Sequence, residues 1–342
     1  MQNGICVLLL TKNEAVSIEK ALNSLFGIAD QVVIVDTGST DDTLAIARAH
    51  PLQPEVYETV WNDDFSAARN TALSYCRYAW CLFLDADEYI DEACRPLVRH
   101  LIEEALTTDP KPLYAPLIDN LNGNLLRNNP RIFAARNTLK YRGRVHEYLS
   151  DLSGADVVSL HDIVIKHTGY LPAMHDQQQK HQRNLNLLRL QMKEEPDVYR
   201  WKYFILRYLS FSSAEALAVL EDFGQLRLPY NQDIEVYAFN AKSRLIHYYL
   251  DKGMWEKAYQ HASELYAYYK DYDSTIIYVC SSLYLSCEKF RSSIAESEKY
   301  LSCISTLEKD VYLHEVTNPA LVEQLLIKIE RIKQGFAYDW SE

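Results

Sequence analysis

The sequence predicts an α/β domain built on a doubly wound parallel sheet, followed by an all-helical domain. Two observations support this division. Up to Glu88, short apolar runs alternate with segments of helical spacing, which is the pattern of strand–helix–strand units in a parallel sheet. From Tyr199 to about Ile332 the chain has no convincing strand and has the pattern of helices with short breaks. We therefore predict a first domain over residues 1–172 and a helical domain over residues 173–342.

Four strands are predicted in the first part of this domain, and each is followed by polar residues. Three of them, at residues 5–10, 31–35 and 80–84, are short continuous apolar runs, which are typical of a strand buried on both faces, whereas the one at residues 56–60 alternates in part. After a helix that ends near Leu106, further strands are predicted at residues 113–118 and 157–166. The short runs at residues 131–133, 138–141 and 143–147 indicate antiparallel additions to the sheet.

The polar segment after the second strand is predicted to begin a helix. Ser39 and Thr40 are favourable N-cap residues, and Asp41 and Asp42 would lie in the first turn, where carboxylates suit the helix dipole. We expect capping to account for Ser39, Asp41 and Asp42, and we assign them no chemistry.

The fourth strand ends abruptly in the carboxylates of Asp85, Asp87 and Glu88. Ligands of open α/β sheets bind at the carboxyl ends of strands. Because Asp85 and Asp87 are two residues apart, an extended backbone points both to one side, and Ala86 between them leaves the approach open. Two oxygen ligands suit Mg²⁺ or Mn²⁺, which take one or two carboxylates together with substrate phosphates. An Asp-x-Asp pair is also an ordinary strand end, so the pair alone leaves a metal site and a turn equally open.

Three further side chains are candidates for the same edge of the sheet. Asp36 ends the second strand. Arg69 falls in the first turns of a helix, where a cation opposes the helix dipole; this position suggests an anionic partner, with a solvated surface arginine as the alternative. His167 ends a later strand and could complete a metal shell with Asp87, although a histidine there is more often structural. Neither a glycine-rich dinucleotide motif nor a P-loop occurs, so metal and side chains must hold any phosphates.

Composition excludes several classes of protein. The chain has 342 residues and a formal net charge of −12, which argues against a nucleic-acid binder and against a basic membrane-binding surface. Seven cysteines are scattered without a Cys-x-x-Cys pair, as expected for reduced thiols in a cytosolic protein. The amino end has no basic n-region, and its apolar run is too short for a signal peptide. We therefore expect a cytoplasmic protein without a membrane span.

The helical domain contains a weak internal repeat. Residues 214–220 resemble residues 256–262, and residues 290–300 repeat the pattern of residues 255–265. Spacings of roughly 35 to 42 residues are in the range of two-helix solenoid repeats such as TPR. The concave side of such a stack is a natural surface for a peptide or protein partner. The stack could equally buttress the first domain or form a homodimer.

Six short motifs occur in an order and at a spacing that are specific to one family. They are Thr11-Lys12-Asn13-Glu14, Val35-Asp36-Thr37-Gly38-Ser39-Thr40-Asp41-Asp42-Thr43, Asp64-Phe65-Ser66-Ala67-Ala68-Arg69-Asn70, Phe83-Leu84-Asp85-Ala86-Asp87-Glu88, Gly143-Arg144-Val145-His146-Glu147 and His167-Thr168-Gly169-Tyr170. With them, residues 4–170 resemble the family 2 glycosyltransferases of the GT-A fold. The last two motifs and the TPR-like tail make the chain most similar to a subgroup that includes the SunS-type peptide S-glycosyltransferases and relatives of lipopolysaccharide-core glucosyltransferases.

The resemblance implies that the donor substrate is a UDP-sugar, with UDP-glucose or UDP-GlcNAc favoured. It places Thr11, Asn13 and Glu14 near the nucleoside. Asp36 would accept a hydrogen bond from the uracil N–H, and Arg69 would contact the base or the diphosphate.

The same resemblance implies the metal site. Asp85, Ala86 and Asp87 would form the Asp-x-Asp motif beside the donor. Asp87 would ligate Mg²⁺ or Mn²⁺, whereas Asp85 would touch the ribose or a metal-bound water. His167 would be a further ligand of the metal or of the diphosphate.

The implied reaction is a direct displacement at the anomeric carbon with inversion. Glu147 and His146 are the candidates for the base that deprotonates the acceptor, and a structural cluster with Arg144 is the alternative. The acceptor would be a peptide or protein side chain, Cys or Ser. The alternatives are a saccharide or lipid-linked glycan as acceptor, or a TPR scaffold whose first domain has lost activity.

Overall fold

The computed structural model describes residues 1–107, 112–136, 138–150, 157–169 and 177–289, together with residues 324, 327 and 328. The chain divides into two compact units, Met1–Gln191 and Met192–Glu342. The domain boundary predicted at residue 172 stays a prediction.

The described residues form eleven strands and ten helices, with one 3₁₀ turn at Glu92–Cys94. The strands are β1 (Gln2–Thr11), β2 (Gln31–Asp36), β3 (Glu55–Glu58), β4 (Tyr78–Asp85), β5 (Glu88–Ile90), β6 (Leu113–Asp119), β7 (Leu125–Leu126), β8 (Ile132–Ala134), β9 (Lys140–Arg142), β10 (Tyr148–Ser150) and β11 (Val157–His167). The helices are α1 (Ile18–Asn23), α2 (Thr43–Ala49), α3 (Phe65–Ser74), α4 (Arg95–Ala105), α5 (Gln177–Glu194), α6 (Tyr199–Ile205), α7 (Ala214–Gly224), α8 (Glu235–Asp251), α9 (Trp255–Tyr269) and α10 (Tyr272–Lys289).

The centre of the first unit is a parallel segment of four strands in the order β3-β2-β1-β4, which confirms the predicted parallel sheet for these strands. Alternate residues of β1 enter two different cores. Ile5, Val7 and Leu9 pack on one face, and Cys6 and Leu8 pack on the other. Since both faces are covered, the strand is a continuous apolar run and does not alternate between polar and apolar residues.

Beyond β4 the sheet is mixed, in the order β4-β8-β6-β11-β5, with β7 paired to β6. Strand β8 is antiparallel to both β4 and β6, which confirms the predicted antiparallel addition at residues 131–133. Strand β11 is parallel to β6. The insertion of β8 matters for function because it places Arg131, the residue before β8, beside the end of β4.

The strand predicted at residues 143–147 is wrong. This segment is a bend, and the strand begins afterwards as β10, which pairs with β9 in a separate two-stranded sheet. Gly143 has φ +100° and His146 has φ +54°. Two left-handed residues three positions apart cannot continue a pleated strand.

The predicted N-caps Ser39 and Thr40 are also wrong. Helix α2 begins at Thr43, and its N-cap is Asp42, whose side chain makes no capping hydrogen bond. The Ser39 hydroxyl donates instead to Asp36 Oδ1 at 2.5 Å. Ser39 Oγ also accepts the Asn13 N–H, at 2.8 Å. Ser39 is therefore used in the loop after β2, and it lies too far before Thr43 to cap α2.

Among its described residues up to 289, the second unit consists of helices and their connections and contains no strand, as predicted. Helices α7 to α10 pack in sequential order, each against the next. The similar segments 214–220 and 256–262 form the first turns of α7 and α9, so each pairs with a following helix to make an αα-hairpin. The third predicted repeat, residues 290–300, lies outside the described residues, and the TPR-like assignment stays a prediction.

Among the described helices, none is long and apolar enough to cross a bilayer. The five cysteines whose side chains are described, Cys6, Cys76, Cys81, Cys94 and Cys280, are free thiols, as predicted for a chain without a disulfide framework.

Candidate functional site

The carboxyl ends of β1, β2 and β4 meet at one edge of the sheet. In the parallel register, Thr11 of β1 lies opposite Asp36 of β2, and Leu10 of β1 lies opposite Asp85 of β4. Thr11 and Asp36 are 3% and 1% exposed. Three predicted site residues are therefore brought together by strand pairing alone, as expected for an α/β sheet.

Asp36 organises the loop that follows its own strand. Its Oδ2 accepts the backbone N–H groups of Gly38 and Ser39 at 2.9 and 2.8 Å. Gly38 has φ +103°, a conformation that favours glycine, and this turn is what brings both amides onto one carboxylate oxygen.

The loop after β1 is tied to the loop after β2. Asn13 N–H donates to Ser39 Oγ at 2.8 Å, and Thr40 N–H donates to Asn13 Oδ1 at 2.7 Å. Glu14 Oε2 accepts the Ser17 hydroxyl at 2.5 Å, and burial raises the pKa of Glu14. Asn13 and Glu14 thus shape the rim of the edge where Thr11 and Asp36 lie.

A buried ion-pair network surrounds Asp85. Its Oδ1 accepts from Arg69 Nη2 at 3.0 Å, and its Oδ2 accepts from Arg131 Nη2 at 3.2 Å. Arg131 also donates to Glu88 Oε1 at 2.7 Å, while Glu88 Oε2 accepts the backbone N–H of Asp85 at 2.9 Å. Two guanidinium groups and one carboxylate therefore fix both the side chain and the main chain of Asp85.

The charges of this network decide its protonation. Burial by itself would raise the pKa of Asp85, but Arg69 and Arg131 outweigh it and hold that pKa well below its usual range. For Glu88 the balance is reversed. Burial, together with the charge of Asp85, raises the pKa of Glu88 to about 7 against the opposing charge of Arg131.

Arg69 connects this network to the loop that carries two candidate bases. Its Nε donates to Glu147 Oε1 at 2.6 Å, and its guanidinium packs over the rings of Phe83 and Tyr141. The unfavourable helix position predicted for Arg69 is thus explained by two partly buried carboxylates. His146, the neighbour of Glu147, lies in the same bend.

The loop at residues 143–147 is held by main-chain contacts. Arg144 O accepts from Phe65 N–H at 3.0 Å, and Arg144 Nη1 donates to Asp63 O at 2.9 Å. Arg144 N–H donates to Gln191 Oε1 at 2.8 Å. The loop is therefore anchored at the start of α3, where it presents Glu147 to Arg69.

A second acidic group lies two residues after Asp85. Asp87 Oδ2 is 3.2 Å from His167 Nε2, and the Asp87 carbonyl accepts both the N–H and the hydroxyl of Thr168. Burial alone would lower the pKa of His167, but the hydrogen bond and charge of Asp87 raise it. A Cβ at Gly169 would lie 2.1 Å from Asp87 Oδ2 and 2.7 Å from His167 Nε2. Only glycine leaves room at this point for the two side chains to converge.

These two side chains fit a small divalent cation better than Asp85 does. The side chains of Asp87 and His167 converge on each other, whereas both oxygens of Asp85 already accept hydrogen bonds from arginines. Within the described ranges, no group of three or more His, Cys, Asp and Glu side chains could hold a metal. A cation here would need its remaining ligands from phosphate oxygens or water, which is the usual habit of Mg²⁺.

Two residues of the site had no role in the sequence analysis. Arg131 and Asn120, whose Oδ1 is 3.0 Å from His167 Nδ1, are 8% and 4% exposed. They bracket residues 121–129, which are exposed throughout. The sequence did offer one signal for Arg131, which is an arginine at the start of a predicted strand of the sheet. An arginine buried at such a position almost always has a charged partner.

Much of the first unit is similar to one known family. The family model described as Glycosyl transferase family 2 matches residues 6–155. The chain is 27% identical over 215 residues to the SPbeta prophage-derived glycosyltransferase SunS of Bacillus subtilis. The matched region covers 62% of this chain and 50% of that protein. An uncharacterized glycosyltransferase of Rickettsia bellii is 33% identical over 133 residues, which is 39% of this chain and 43% of that protein. The chain spans about half the length of the curated relatives it matches.

Among solved structures, a crystal structure of S. aureus TarS 1-349 covers 98% of this chain and 93% of that chain, with 15% sequence identity and a TM-score of 0.40.

Removing Arg131 should destabilise the protein strongly. Arg131→Ala leaves Glu88 buried without its cation and leaves Asp85 with Arg69 alone. Breaking a buried pair in this way costs about 3–5 kcal/mol. The free energy of unfolding of the full chain, measured by urea denaturation, checks this value. The matched control is Arg48→Ala, which breaks the exposed pair with Glu58 and should cost at most about 1 kcal/mol. An equal loss in the free energy of unfolding for the two variants would show that the Asp85 network stabilises the protein no more than an exposed ion pair does.

Proposed function

We propose that this chain is a family 2 glycosyltransferase of the GT-A fold, which transfers a sugar from a UDP-sugar to a peptide or protein side chain, Cys or Ser, with inversion at the anomeric carbon. The match of residues 6–155 to the model described as Glycosyl transferase family 2 supports this proposal. The observation that carries the proposal is the meeting of Asp36, the Asp85 network and the Asp87–His167 pair around the ends of parallel strands, inside or directly beside the matched residues.

Unpartnered buried atoms support a polar ligand at this edge. Thr11 Oγ1, Arg69 Nη1 and Arg131 Nε are buried and have no hydrogen-bond partner within the described part of the chain. A buried donor or acceptor without a partner costs about 1–3 kcal/mol, so a ligand that satisfies these atoms recovers that energy. We assign Thr11, Asn13 and Glu14 to the nucleoside side of the donor. Arg69 is assigned to its diphosphate.

The remaining donor contacts follow from the same edge. Asp36 is proposed to accept the uracil N–H, because the loop that it organises leaves its carboxylate at the strand tip. Asp85 and Ala86 are proposed to lie beside the ribose. The arginines that hold both oxygens of Asp85 make orientation of the donor a better role for it than direct metal ligation.

A divalent cation, Mg²⁺ or Mn²⁺, is proposed at Asp87 and His167. When bound, such a cation neutralises the charge that develops on the departing diphosphate. Asp87 would supply a hard oxygen ligand and His167 a nitrogen ligand. Gly169, which has no Cβ, allows these two side chains to converge. Arg69 adds a fixed positive charge on the same side, which stabilises the leaving group without any reorganisation.

Glu147 is proposed as the base that takes the proton of the acceptor, with His146 as the second candidate. Glu147 Oε1 accepts from Arg69, so its carboxylate is held in one orientation close to the donor network. The other oxygen, Oε2, has no hydrogen-bond partner among the residues that the structure describes, and the acceptor proton would go to this atom.

The helical unit is proposed to select the acceptor. A groove of about 970 Å³ lies between α7, α8 and α9. The ring of Tyr249 stacks on His261 in its wall, and Tyr268 is 50% exposed at its edge. Aromatic faces with interspersed polar groups suit an extended peptide, because each can contact the peptide backbone and one side chain.

Asp87→Ala tests the reaction class. Purified protein should release UDP slowly from one donor among UDP-glucose, UDP-GlcNAc, UDP-galactose and GDP-mannose, and only with Mn²⁺ or Mg²⁺ present. Loss of the Asp87 carboxylate should lower this rate by about 100-fold or more, because a preorganised charge on the leaving group is lost. The control is Asp162→Asn, an exposed carboxylate on β11, which should behave as wild type. If the wild type turned over none of these donors, the result would contradict an enzymatic function and favour the alternative of a non-catalytic scaffold.

Replacing the candidate bases separates their roles. Glu147→Gln should lower kcat by about 100-fold or more, as expected for loss of a general base, and should raise the KM for the donor because Arg69 loses a partner. His146→Gln should change kcat far less. Steady-state kinetics of both variants with the active donor provide the comparison. The reverse order of effects would transfer the role to His146, and wild-type kcat in both would rule out general-base catalysis by this loop.

Tyr268→Ala tests the acceptor groove. Loss of an aromatic contact should raise the KM for a Cys- or Ser-containing peptide acceptor by about tenfold, whereas UDP release in the absence of acceptor stays at the wild-type rate. Val236→Ala on α8, also exposed, is the matched control. An unchanged KM for the peptide would remove the groove from acceptor binding.

A further inference from the structure

Asn120 makes a buried contact with the proposed metal ligand His167. It follows β6 directly and is 4% exposed. Its Oδ1 lies 3.0 Å from His167 Nδ1, on the opposite side of the imidazole from Asp87, which lies 3.2 Å from Nε2. Its backbone N–H donates to Asn124 O at 3.1 Å, so the turn itself holds the residue in place.

We propose that Asn120 is a positioning residue that keeps the proton on His167 Nδ1 and thereby directs Nε2 toward Asp87 and the donor diphosphate with its cation. The identity of that ligand rests on the proposed function. The contact between the two side chains does not depend on it.

The chemistry of the two groups gives the direction of this effect. An amide oxygen can only accept a hydrogen bond, so Nδ1 must carry a proton when it faces Asn120 Oδ1. Nε2, which donates to Asp87 Oδ2 when no ligand is present, is then the nitrogen that can give up its proton and offer a lone pair to a ligand. Metal-binding histidines usually donate their other N–H to such a partner, which fixes the orientation of the ring and its tautomer.

The surroundings of His167 make this orientation consequential. Thr168 N–H and its hydroxyl both hold the Asp87 carbonyl, so the carboxylate of Asp87 stays opposite Nε2. Both groups also lie so close to Gly169 that a Cβ there would clash with them, so this glycine permits their approach. A half-turn of the imidazole would remove Nε2 from this point and leave Asp87 as a single ligand. Asn120 is the group on the far side of the ring that opposes such a turn.

The first test observes the hydrogen bond without any ligand. In protein labelled with ¹⁵N-histidine, wild type should show a slowly exchanging Nδ1–H resonance, assigned through its absence in His167→Gln. Asn120→Ala should lose this resonance. Asn120→Asp, which keeps an acceptor oxygen, should retain it, as should Asn122→Ala in the same exposed turn. Retention of the resonance in Asn120→Ala would overturn the proposal.

The second test measures what the hydrogen bond does. Binding of Mn²⁺ in the presence of UDP, measured by titration calorimetry, should be about 10–100-fold weaker in Asn120→Ala, and close to wild type in Asn120→Asp and Asn122→Ala. Loss of the resonance with unchanged Mn²⁺ affinity would overturn the positioning role. Failure of the wild type to bind Mn²⁺ and UDP would instead contradict the proposed function, and the result with the resonance would still decide whether Asn120 holds the ring.

Discussion

The pairing of one carboxylate with two buried guanidinium groups, at Asp85, is the constraint on which the rest of the site depends. Arg69 comes from α3 and Arg131 from the segment before β8, and both meet on β4. Desolvating three charges is costly, and their mutual attraction compensates only while the geometry is kept. Any shift of α3 or β8 relative to β4 would leave a charge unpaired. The network therefore couples correct packing of the sheet to correct placement of Asp85.

The same network extends to the loop that carries the proposed base. Arg69 bonds Asp85 through Nη2 and Glu147 through Nε, so a single planar group sets the distance between the donor side and the acceptor side of the site. A planar, always charged guanidinium is suited to this task, whereas a lysine could contact only one of the two carboxylates at a time with the same rigidity. The position of Glu147 thus depends on α3 as well as on the anchored loop that carries it.

Local patterns predicted the parts of the fold that depend on local chemistry. The four parallel strands appear as apolar runs, and the meeting of Asp36 with the end of β4 follows because parallel strands end at one edge. Arg131 and Asn120 were missed because their partners lie 43 and 47 residues away along the chain, across strands whose order is not visible in periodicity. The capping assignment of Ser39 failed for a related reason, since its Oγ accepts the N–H of Asn13, 26 residues away along the chain, and α2 begins only at Thr43. The left-handed backbone of His146 gave no signal at all.

The segment between Asn120 and Arg131 joins two of the most constrained side chains of the unit, yet residues 121–129 are exposed along their whole length. Each anchor is fixed by its own buried contacts, to His167 on one side and to Asp85 and Glu88 on the other. The intervening loop is joined to the sheet through its main chain, by the bond from Asn120 N–H to Asn124 O and by the pairing of β7 with β6. Exposed side chains of this loop can therefore be exchanged, for example for those of a relative, while these main-chain contacts and both anchors are kept.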